Sequence, residues 1–168
     1  MRTKGDGRWL AACGVIGLTL WIAGTARAQT AATQPASVST NREILIATEK
    51  SEFKDAVVDR VTQTLKQKGR PFKIVDLKQL AQESADRYDG IVILNTIWAW
   101  HLRGKVSHFL KPLTDDQRRK VVLVSTADGE DWKTKETGVH AVTSASKMTK
   151  VDEVAGFIVR ELEGVLPK

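Results

Sequence analysis

The chain has 168 residues, 42% of them hydrophobic and 27% charged, with a formal net charge of +6. That length suits one domain, and the composition excludes collagen-like, disulfide-rich and wholly disordered chains. The basic balance points toward nucleic acid only until its position is considered. Within the first 28 residues, Arg2, Lys4, Arg8 and Arg27 face Asp6 alone. Without that segment Lys+Arg falls from 26 to 22 and Asp+Glu from 20 to 19, leaving +3. The remainder is mildly basic and shows no sign of nucleic-acid recognition.

Met1 to Arg8 is basic, Trp9 to Gly24 is mostly apolar, and Ala26-Arg27-Ala28 offers a small-residue cleavage site. This three-part layout predicts a signal peptide over residues 1–28 and an exported protein, periplasmic or secreted. The apolar stretch is short for a span, which needs roughly 20 residues. An uncleaved leader is the alternative and would be the chain's one membrane contact. Leu10-Ala11-Ala12-Cys13 looks like a lipoprotein box, but the apolar run between Arg8 and Cys13 is too short to precede such a cut. Cys13 is the single cysteine. Once it leaves with the leader, no disulfide, thiolate or cysteine metal site remains. Gln29 to Asn41 is rich in Thr, Ala, Ser and Gln and is expected to be a flexible spacer. The folded domain is therefore expected over residues 42–168.

Glu43 to Thr48 is a short apolar run with β-branched residues, as in a strand buried on both faces. Ser51 to Lys68 follows with Phe53, Val57, Val58, Val61 and Leu65 on one helical stripe. Ser51 can cap it, Gly69 can end it, and Pro71 prevents its continuation. Phe72 to Leu77 is a more polar strand, suited to an edge. Lys78 to Arg87 is expected to be a short helix. Ile91 to Leu94 is a wholly apolar strand. A helix over Gly104 to Lys111 ends at Pro112, and Thr114 with Gln117 forms a capping box. Val121 to Val124 and Val139 to Thr143 are further strands. Thr149 is expected to cap a last helix with Val151, Val154, Ala155, Ile158, Leu162 and Val165 inward.

Strands alternating with helices imply an α/β fold: a doubly wound, five-stranded parallel sheet with helices on both faces. Only Thr126 to Gly138 joins the fourth strand to the fifth, so the helix there is expected to be reduced to a loop or one turn. In such sheets ligands sit beyond the carboxyl ends of the strands, where strand order reverses. Three loops qualify: Thr48 to Lys54, Asn95 to Arg103, and Thr126 to Trp132. Outside the leader, every tryptophan (Trp98, Trp100 and Trp132) falls in the second or third of them. Tryptophan is costly to expose and stacks on planar ligands. A lid on the core or a protein contact would use the same residues.

The segments ILIATEKSEFKDAV, YDGIVILNTIWAWHLRGKVSHFL and the terminal VTSAS before a helix resemble the flavodoxin-like family over nearly all of residues 42–168. The resemblance implies FMN, with its phosphate in the first loop and its ring flanked by the later loops. On that basis Thr48, Lys50 and Ser51 would contact the phosphate. Asn95, Thr96, Trp98 and Trp100 would line the ring, together with Thr126, Ala127, Asp128 and Gly129.

The first loop departs from the family pattern. It lacks the glycine expected near Glu52 and carries two acids, Glu49 and Glu52. A carboxylate at a helix start satisfies the same dipole that a phosphate would use. A flavin lacking phosphate, a quinone, or no cofactor at all stays open. His101 is the best histidine for a polar ligand contact, whereas His108 and His140 fit a surface and a structural role. Asp128-Gly129-Glu130-Asp131 is too small a set for a calcium loop. Neither a nucleophile elbow nor a dinucleotide fingerprint is present. Two functions follow. One is an exported flavodoxin-like protein that uses FMN for electron transfer, with a redox partner protein, or for reduction of a small acceptor. The other is a flavin-free binding module that kept the fold.

Overall fold

Ile44, Leu45, Ile46 and Ala47 are consecutive and almost wholly buried, which only a strand covered on both faces permits. They form β1 (Glu43–Thr48), the second strand of a five-stranded, all-parallel sheet. The computed structural model describes residues 42–99, 101–127 and 138–166. The other strands are β2 (Phe72–Asp76), β3 (Tyr88–Thr96), β4 (Val121–Ala127) and β5 (His140–Ala145). Their order is β2-β1-β3-β4-β5, so β2 lies at an edge as its polarity predicts.

Side chains alternate between the faces with the strand period of two. Ile44, Ile46, Val92, Leu94, Val122 and Val124 meet α1 (Glu52–Gln67) and α4 (Val151–Val165). Leu45, Ala47, Ile91, Ile93, Val121 and Leu123 form the opposite layer, closed by α2 (Gly104–Leu110) and by Leu80 and Ala85. The doubly wound sheet read from the sequence is thus the observed one. The crossover after β4 falls on residues 128–137, outside the described residues.

Local chemistry accounts for the boundaries. Gly69 ends α1 in the left-handed region at φ +63. There its N–H donates to Lys66 O at 3.0 Å and that of Arg70 to Leu65 O at 2.9 Å, a Schellman arrangement. The capping box at α3 (Asp115–Arg118) is complete. Gln117 N–H donates to Thr114 Oγ1 (3.3 Å), and Thr114 N–H to Gln117 Oε1 (2.9 Å).

Two expectations need correcting. Residues 78–87 form no α-helix; they make two short 3₁₀ turns, Leu80–Gln82 and Ala85–Arg87, split by extended backbone at Glu83 and Ser84. In one helix Leu80 and Ala85 would lie about 140° apart. The break lets both enter the same core layer. Glu83 is also fixed from outside the segment, by the Lys73 ammonium at 2.6 Å and by the Tyr88 hydroxyl. At the last helix, Thr149 lies inside a 3₁₀ turn (Met148–Lys150) and Lys150 takes the cap position, without a side-chain bond. The inward stripe starts only at Val151. Asp152 and Glu153 in the first turn supply the negative charge that a helix start favours.

Candidate functional site

Strand order reverses between β1 and β3, because β2 continues outward from β1 while β4 and β5 continue from β3. The loops leaving the carboxyl ends of these two strands therefore splay apart and open a crevice, the usual ligand position in such sheets.

Glu49, the first residue past β1, spans this crevice. Its Oε1 accepts the Lys54 ammonium at 2.7 Å and the main-chain N–H of Thr96 at 2.9 Å. Oε2 lies 3.4 Å from an Arg103 guanidinium nitrogen. Lys54 Nζ also donates to Thr96 Oγ1 at 2.5 Å. The Lys54 side chain is only 2% exposed although it is a lysine. β1, α1, the end of β3 and the loop before α2 thus converge on one carboxylate.

The ionisation of the pair follows from its setting. Burial acts to raise the Glu49 pKa, but hydrogen bonds from Lys54 and Thr96 and the charges of Lys54 and Arg103 outweigh it. The carboxyl stays below its ordinary value. Burial pulls the Lys54 ammonium below the ordinary lysine value, opposed by the hydrogen bond and charge of Glu49.

Beyond β3 the chain forms a tight turn. Trp98 and His101 exchange backbone hydrogen bonds of 3.1 and 3.0 Å, and Ile97 N–H ties the turn to Thr126 O at 2.8 Å. Ala99 is held at φ +48, a left-handed conformation that costs a residue with a Cβ about 1 kcal/mol or more. Trp98 is 72% exposed. It borders a cleft of about 370 Å³ with Ala99, His101, Leu102, Arg103 and Gly104. A large aromatic left in water beside strained backbone is an arrangement that folding alone does not explain.

Beneath this turn, Asn95 and Ser125 are register partners on the α2-facing side of the sheet. Both are buried, and among the described residues neither the Asn95 amide nor Ser125 Oγ has a hydrogen-bond partner. Buried polar atoms without partners are rare and are commonly reserved for water or a ligand.

The candidate residues are distributed as follows. Thr48 ends β1 and donates to Glu49 O at 3.3 Å. Lys50 is exposed. Ser51 occupies the cap position of α1 but makes no side-chain cap bond. Thr96 joins the Glu49–Lys54 cluster, and Thr126 Oγ1 donates to Asn95 O at 3.3 Å. Ala127 ends β4. Trp100, Asp128, Gly129 and Trp132 lie outside the described residues. His101 borders the cleft, His108 is exposed on α2, and His140 meets Glu161 at 2.8 Å. No group of three His, Cys, Asp or Glu that could hold a metal occurs among the described residues.

The sequence reading missed Lys54, the residue that organises the first loop. Its signal was present. Lys54 stands three, four and seven residues before Val57, Val58 and Val61, so a cation sits on the buried stripe of α1. Such a lysine requires an anion nearby.

No protein-family model matches the sequence, and no curated protein sequence does either. Solved structures do share the fold. An oxidoreductase from Corynebacterium diphtheriae aligns with TM-score 0.50 and 15% identity over 76% of this chain and 98% of its own. The flavodiiron core of Flv1 from Synechocystis sp. aligns with TM-score 0.51 and 7% identity, over 76% of this chain and 36% of that one. A Fusobacterium nucleatum flavodoxin bound to flavin mononucleotide gives TM-score 0.49 at 12% identity, over 75% of this chain and 99% of that one. The domain has the flavodoxin-like fold.

The fit of an FMN to these residues divides in two. The open Trp98 cleft offers stacking surface for a ring, with His101 and Arg103 as polar groups on its border, whereas Asn95 and Ser125 are buried beneath the turn and do not line it. Beside the first loop, the Lys54 ammonium and the Thr96 N–H at the end of β3 are already bonded to the Glu49 carboxylate, while Lys50 is exposed and Ser51 makes no cap bond.

Proposed function

We propose that this is an exported flavodoxin-like protein that takes a flavin by its ring at the loop between β3 and α2. Its function is electron transfer or reduction of a small acceptor. The observation that carries this reading is Trp98, held in solvent by a bridged turn at the strand-order reversal. The flavin would supply the redox chemistry. The chain's own part is to stack on the ring, fix its edge and exclude water from one face. A redox partner protein would meet the same sheet edge. Export rests on the leader of residues 1–28 and is checked by sequencing the N-terminus of the protein recovered outside the cytoplasm, which should begin at Gln29.

A second reading has its own support. The crevice already bridged by Glu49 suits a flavin-free binding module, with Trp98 as a contact for another ligand. Titrating the purified protein with FMN and with riboflavin separates the two. Flavin fluorescence should quench on the tryptophan if the ring binds. Absence of quenching with both flavins at micromolar concentration refutes the first reading and leaves the second.

A further inference from the structure

We propose that Glu49 is a built-in anion occupying the phosphate position of the first loop, with Lys54 as its buried counter-ion. The domain therefore selects flavin without its phosphate. The preference for riboflavin rests on the ring-binding function proposed above. The occupied anion position does not, because it can be tested with inorganic phosphate alone.

The donor set supports this. A phosphate in the crevice at the strand-order reversal is held by main-chain N–H groups and favoured by nearby positive charge. Here the Thr96 N–H, the Lys54 ammonium and the Arg103 guanidinium all converge on one carboxylate. These are the partners an external anion would use, and the side chain arrives from the loop that would have wrapped it. Lys54 is buried and cannot turn to solvent for another partner. A phosphate approaching this set would meet the Glu49 charge first and would have to displace a covalently tethered competitor. Glu49 excludes it by charge and by occupancy together.

Removing the tethered anion should uncover the site. In Glu49→Ala the Lys54 ammonium and the Thr96 N–H remain with space between them. The measurement is the thermal midpoint in phosphate against chloride at matched ionic strength, on the full-length protein. The wild type should show no phosphate-specific shift. Glu49→Ala should gain stability with rising phosphate, and adding Lys54→Met should abolish that gain. Should Glu49→Ala not fold, Glu49→Ser carries the same test with a smaller change in polarity. In the flavin arm, the wild type should bind riboflavin at least as tightly as FMN. The substitution should move the FMN-to-riboflavin affinity ratio toward FMN by about tenfold.

A phosphate-specific stabilisation of the wild type would overturn the proposal. So would a folded Glu49→Ala or Glu49→Ser that ignores phosphate, or a wild type that prefers FMN. Failure of both flavins to bind counts against the ring-binding reading alone, since the phosphate arm contains no flavin.

Discussion

A Cβ placed on Gly90 would fall 2.7 Å from Cδ2 of Leu162, which is itself buried in α4. Gly90 lies in β3, and its missing side chain is what lets the last helix settle on the sheet. Gly90→Ala should therefore destabilise the domain by about 1–3 kcal/mol, the usual cost of overpacking. The penalty should shrink in a Leu162→Ala background, giving a coupling that chemical denaturation of the four proteins would reveal. Additive effects would show that the helix can move away at no cost.

Trp98 should matter for ligand and hardly for folding. Being 72% exposed, its replacement by Ala should change stability by less than about 0.5 kcal/mol. Flavin affinity should fall about tenfold, the loss expected for one stacking aromatic. Fluorescence titration and thermal melts on the same sample separate the two effects.

The Glu49–Lys54 pair should dominate the stability of the first loop. Glu49→Ala strands a buried ammonium and should cost about 3 kcal/mol, near the low end for a broken buried pair because Glu49 keeps some contact with solvent. The double variant Glu49→Ala with Lys54→Met should recover most of that loss. Denaturant midpoints of the single and double variants test the coupling.

Acid should weaken the fold through two carboxyls. Glu83 is held below its ordinary value of 4.5 by hydrogen bonds from Lys73 and Tyr88, against burial, and Glu49 is also held below 4.5. The unfolded chain takes up these protons first. Their contribution is complete above pH 4.5 and is lost as pH falls through the folded values. Tyr88 has the opposite dependence. Burial and its bond to Glu83 raise it above 10.0, so its contribution is lost as pH climbs past 10.0. Glu83→Gln should flatten the acid limb of a stability–pH curve, and Tyr88→Phe should flatten the alkaline limb.

The sheet was legible because its signal is redundant. Ile44 to Ala47, Ile91 to Leu94 and Val121 to Val124 each carry the same message of burial on both faces, and the intervening stripes are helical. Segment 78–87 was not legible as turns from its helix-compatible residues; Leu80 and Ala85, about 140° apart on a helix, share a core layer only because the helix breaks. The break depends on Glu83 meeting Lys73 on β2 and Tyr88 on β3, side-chain contacts that helix propensity and periodicity do not reveal. The first loop was legible as unusual through Glu49 and Glu52. Which acid mattered was not, since the choice falls to Lys54 and to a backbone N–H from Thr96, 47 residues away.

The clamp at Arg42 has a mechanical consequence. Its main-chain N–H donates to Asp89 at 3.0 Å and its guanidinium to Asp86 O at 2.7 Å, both near the amino end of β3. Leu166, just past α4, lies near Gly90 at that same end. Both ends of the described fold thus emerge at the pole remote from Trp98. A pull applied at either end is therefore borne at the base of the sheet, at the pole opposite the cleft.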